Sequence, residues 1–62
     1  MSEISAALDE ARGHLRDLSY WQREMALPFL PEGVKAEKFA RSLWAKIAAD
    51  EAIERAYLLA NT

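Results

Sequence analysis

Residues 26–39 read ALPFLPEGVKAEKF, with Pro28 and Pro31 three positions apart and Phe29 and Leu30 between them. Proline lacks a backbone N–H and turns the preceding residue away from helical geometry, so a helix arriving from the N-terminal side stops at Pro28. A flexible tether would be rich in glycine and serine. This connector is apolar and stiff. Its prolines fix the chain, so Phe29 and Leu30 lose little entropy on docking. They are expected to cap the open end of a bundle or enter a partner's groove.

Upstream of the turn, Ile4, Leu8, Ala11, Leu15, Leu18, Gln22 and Met25 follow one another in alternating steps of four and three. That is a heptad seam, the narrow stripe of helix-on-helix packing. Ser2 suits the N-cap, and Glu3 places an anion in the first turn. A helix is predicted over about residues 3–26. Glu10 and His14 are spaced for a contact one turn apart. Gln22 on the seam costs stability but fixes register.

Downstream, Ala36, Phe39, Ala40, Leu43 and Ile47 fall on one stripe with Trp44 at its edge. This predicts a second amphipathic helix over about 35–49, with Phe39 and Trp44 in its core face. The same stripe then meets Asp50 and Glu54, which a buried face does not accept without partners. The simpler expectation is a break with Asp50 as N-cap and a short third helix over about 51–60. One unbroken helix from Val34 to Ala60 is the alternative. The turn is placed at 27–34, and the chain is read as a single all-α domain, a helical hairpin.

At 62 residues with no cysteine and one histidine, such a chain has few ways to stabilise itself. A domain this small buries only ~60% of the surface its unfolded chain exposes. Disulfides and thiolate metal sites are excluded, and a histidine-based metal site is not expected. No cofactor is expected either. Oligomerisation or a larger protein partner remains as the stabilising device. Hydrophobic residues make up 52% of the chain, far from a disordered composition. The net charge of −2 gives no global pull toward nucleic acid or membranes. Charges through the first twenty residues argue against a signal peptide, and no apolar run approaches a membrane span. A cytoplasmic location is expected.

The stretch from Leu30 to Ala56, LPEGVKAEKFARSLWAKIAADEAIERA, resembles the N-terminal segment of RecT-type phage single-strand annealing proteins. The matching positions are Leu30, Pro31, Ala36, Glu37, Lys38, Phe39, Arg41, Ile47 and Ile53. Lys35 departs from the pattern, standing where a capping threonine is usual. The resemblance implies phage origin, a link to DNA recombination, and a helical module packing against neighbouring subunits or accessory proteins. It also implies a helix break near Glu51. The family's DNA-annealing parts lie beyond the matched segment, so annealing activity is not implied.

The residues expected to carry self-association or partner binding are Ile4, Leu8, Leu15, Leu18, Trp21, Gln22, Met25, Phe29 and Leu30. Aromatic residues such as Trp21 are frequent interface anchors. Lys35, Lys38, Arg41 and Lys46 are a candidate phosphate-contacting set. Lys35, Lys38, Ser42 and Lys46 share what reads as the polar face of the second helix, and an ordinary solvated face is the simpler reading. A helix-turn-helix is not favoured, because Asp50, Glu51 and Glu54 would repel a DNA backbone. Catalysis is not expected from a lone His14, nor from a 7.0 kDa chain too small to enclose a substrate cavity and keep a core. Three functions follow: a non-enzymatic assembly module, a small inhibitor or antitoxin-like protein acting on a nucleic-acid enzyme, and a weak single-stranded DNA-binding accessory protein.

Overall fold

The computed structural model describes residues 2–62, which form two helices joined by a tight turn: α1 (Glu3–Met25) and α2 (Glu32–Ala60). Ser2 caps α1 from an extended conformation, its Oγ accepting the Ser5 N–H at 3.1 Å. Glu3 occupies the first turn and Arg23 the last, each matched to the helix dipole. The Ala26 N–H closes the helix onto the carbonyls of Gln22 and Arg23, and Pro28 then bars another turn.

Re-entry is immediate. Pro31, at φ −58° and ψ 146°, is the N-cap of α2, so the helix begins three residues before the position predicted for it. Pro31 has no N–H that needs a partner, and its carbonyl accepts from Lys35 N–H at 3.0 Å. At the other end Asn61 Nδ2 and Thr62 Oγ1 each donate to a last-turn carbonyl at 2.8 Å.

The expected hairpin is present, but there is no third helix. α2 runs unbroken for 29 residues, and Asp50 lies exposed in mid-helix rather than at a cap. The break near Glu51 is likewise absent. From Val34 to Ala60 the chain has no glycine or proline, and alanine, glutamate, lysine, leucine and arginine dominate, all strong helix formers. A break there is needed only if the stripe holding Asp50 and Glu54 is buried. That condition is not met.

The helices pack antiparallel into a rod of 48 × 15 × 11 Å. The face α2 turns toward α1 is Ser42, Ala45, Ala49, Ala52 and Ala56, all buried, again in alternating steps of three and four. The expected polar face is therefore, in part, the buried one. Ser42 is accommodated there because its Oγ donates to the Phe39 carbonyl at 2.7 Å. Conversely, the large apolar stripe points away from α1. Phe39 is 53% and Trp44 71% exposed, and Leu43 and Ile47 are exposed as well. Phe39 and Trp44 thus do not form the core predicted for them. Small side chains let two helix axes approach at the short end of the ~8–10 Å range.

On α1 the seam is rotated by one residue in alternate steps. Ala7 and Ala11 are buried, while Ile4, His14, Leu18, Trp21 and Met25 are half-buried. Ile4, Ala11, Leu18 and Met25 belong to both the expected and the observed seam. Ala7, His14 and Trp21 replace Leu8, Leu15 and Gln22, which are exposed. The hydrophobic core of the hairpin consists of Ala7, Ala11, Ala45, Ala49, Ala52 and Ala56, and no large side chain is fully buried.

Candidate functional site

Successive residues of an α-helix turn by about 100°, so columns seven apart stay on one side of the rod. Glu3, Glu10, Asp17 and Glu24 form such a column on one flank of the α1 seam, and α2 supplies cations to it. Arg55 donates to Glu10 through Nη1 at 2.9 Å and Nη2 at 3.5 Å. Lys38 Nζ reaches Glu24 Oε1 at 3.1 Å. These two links, one near each end, mark the antiparallel register. The Arg55 guanidinium, by hydrogen bond and charge, holds the Glu10 carboxyl below its usual range, with His14 at 3.7 Å adding to the effect. Glu10 in turn raises Arg55 further above an already high value. Both groups are well exposed, so solvent screens the pair and its contribution to stability is small.

The same flank holds Trp21. Its ring lies 5.6 Å from Lys38 Nζ and 5.3 Å from the Arg41 guanidinium, with Tyr20 edge-on at 4.9 Å. Cations over an indole face are favourable at these distances. Arg41 also pairs with Glu37 at 3.4 Å. Of the four candidate phosphate contacts, Lys38 and Arg41 are therefore engaged inside the hairpin. Lys35 and Lys46 are exposed without an ion pair among the described residues, and helical phase sets them to the other side of the rod from Arg41. The four do not form one surface.

That other flank is open. Leu8 and Leu15 stand on it, 48% and 44% exposed, in column with Gln22. Across the seam, helical phase places Ile53 and Tyr57 on the same side, both exposed. No ion pair spans it among the described residues. Leu15 also lines a shallow groove with Arg12, Arg16, Ser19 and Arg23, a row on the outer edge of α1. The rod thus has a closed side held by ion pairs and an open one, where Leu8, Leu15, Ile53 and Tyr57 stand with Lys35 and Lys46, unpaired among the described residues.

The nine residues expected at a partner surface divide between these places. Leu8, Leu15 and Gln22 lie together on the open flank. Ile4, Leu18, Trp21 and Met25 lie in the intramolecular seam, each still half-exposed. Leu30 is half-buried at the turn, and Phe29 beside it is fully exposed. Sequence reasoning missed the alanine seam of α2, although its spacing signals a close-packed face. It also missed the Arg12, Arg16 and Arg23 row, visible as three arginines on one face of a helix. Among the described residues no His, Asp or Glu cluster could hold a metal ion, and no helix is long and apolar enough to cross a membrane. No protein-family model, curated protein or solved structure matches the chain.

Proposed function

We propose that this chain is a non-enzymatic assembly module whose hairpin pairs with a second copy through the open flank, making a four-helix bundle. The observation that carries the reading is the inverted core: alanines inside, with Leu8, Leu15, Leu43, Ile53 and Tyr57 outside. Burying a methyl contributes far less than burying a leucine or isoleucine, at about 0.8 kcal/mol per buried carbon group. Six buried alanines, with Ile4, Leu18, Trp21 and Met25 only half-buried beside them, are a small core to set against the backbone entropy of ordering two long helices. Surface area points the same way. The hairpin exposes 4868 Å², where a compact monomer of its mass exposes about 4000 Å². The excess of roughly 870 Å², which goes with the elongated 48 × 15 × 11 Å shape, is comparable to one partner's share of a standard interface. A second copy supplies a surface of matching size and composition.

The nucleic-acid reading draws no support from the geometry, since Lys38 and Arg41 already serve the hairpin. The test is Leu15→Glu. On a free helix surface this change stays within about 0.5 kcal/mol, so an isolated hairpin would tolerate it. The assembly reading predicts loss of the oligomer in size-exclusion chromatography with light scattering. An oligomer that survives Leu15→Glu unchanged overturns the use of this flank.

A further inference from the structure

Resting on that reading, we infer how the second copy is oriented: α1 of one copy packs beside α2 of the other, and Arg12 and Arg16 meet Asp50 and Glu54 across the interface. Three observations converge. Arg12, Arg16 and Arg23 form no ion pair among the described residues, whereas Lys38, Arg41 and Arg55 do. Asp50 and Glu54 are equally unpaired and exposed, although they interrupt an otherwise apolar stripe. Both sets border the open flank on its outer edges, the arginines beside Leu15 and the carboxylates, by helical phase, beside Ile53 and Tyr57.

Charge then selects among the ways two hairpins can close. Setting α1 against the other copy's α1 brings the two arginine rows together, and like charges facing each other are a strong element against that arrangement. Setting α2 against α2 leaves both arginine rows without partners. Setting α1 against the other α2, in a two-fold dimer whose axis runs along the bundle, makes every neighbouring pair antiparallel and the interface self-complementary. The register agrees. Within the hairpin Glu10 is level with Arg55 and Glu24 with Lys38, so Arg12 is level with the turn from Asp50 to Glu54. A second copy placed by the same packing puts Arg12 level with both carboxylates and Arg16 within a turn of Asp50. Gln22 falls level with Ser42, giving one polar layer that penalises a shifted register.

The experiment is a charge swap with rescue. One variant carries Arg12→Glu and Arg16→Glu, the other Asp50→Lys and Glu54→Lys, each compared with wild type by sedimentation equilibrium. Each variant alone is expected to dissociate at least about tenfold more readily. An equimolar mixture should recover a heterodimer close to wild-type strength. Rescue on mixing separates lost pairing from a chain that merely folds poorly. If wild type self-associates while both variants match it, or while mixing rescues nothing, this orientation is wrong and assembly stands. A monomeric wild type removes the assembly reading itself.

Discussion

Phe29 adopts φ 63°, the left-handed region that costs a bulky L-residue roughly 1–2 kcal/mol. Its ring is fully exposed in the hairpin, so no contact within the chain offsets that strain. The two prolines explain how the strain persists: they fix the chain on either side and leave Phe29 to complete the reversal. Asparagine tolerates this geometry much better. Phe29→Asn is therefore expected to raise stability by about 1 kcal/mol in urea denaturation at constant protein concentration. A loss of stability instead would place the ring in contact with a partner, as the apolar turn suggested from sequence alone. The position of this turn was legible because proline acts locally. The positive φ was not, since nothing in the side chain of phenylalanine asks for it.

The helix α2 is where sequence and structure part most clearly, and the reason is a competition between two faces. A reading that weights large side chains selects Phe39, Leu43 and Ile47 as the buried stripe and then favours a break at Asp50 over the unbroken helix that the structure has. The chain buries Ala45, Ala49, Ala52 and Ala56 instead, and the carboxylates stay in solvent at no cost. On α1 the seam shifts from Leu8, Leu15 and Gln22 to Ala7, His14 and Trp21, only the first of which is small. On α2 the rule is that two helices can approach closely where side chains are small, leaving Leu43, Ile47 and Ile53 exposed. Helix content and the hairpin were legible because they follow from propensity and punctuation. Which face turned inward depended on the partner helix, which no single segment encodes. Substituting Glu51→Pro separates the two accounts of this element. Proline is well accepted at the first position of a helix, so a third helix capped by Asp50 would tolerate it. In the interior of a continuous α2 it should cost about 3 kcal/mol or more and visibly reduce helicity.

At the scale of the whole molecule the hairpin is a two-sided rod. Ion pairs from Glu10 and Glu24 close one side, while Leu8, Leu15, Ile53 and Tyr57 leave the other open. The heptad read from the sequence divides in two: Ile4, Ala11, Leu18 and Met25 lie in the seam of the hairpin, while Leu8, Leu15 and Gln22 stand on the open flank, the face proposed to meet a second copy. Of the proposed interface, the exposed column Leu8, Leu15 and Gln22 was readable from heptad spacing; the proposed pairing of Arg12 and Arg16 with Asp50 and Glu54 was not, because it depends on the register of α1 on α2. The central claim is that folding and self-pairing are one event. Its most direct test is sedimentation equilibrium across a wide concentration range, with helicity followed by circular dichroism on the same samples. A dimer whose helicity falls as it dissociates on dilution is the expected result; a fully helical monomer at every concentration would contradict it.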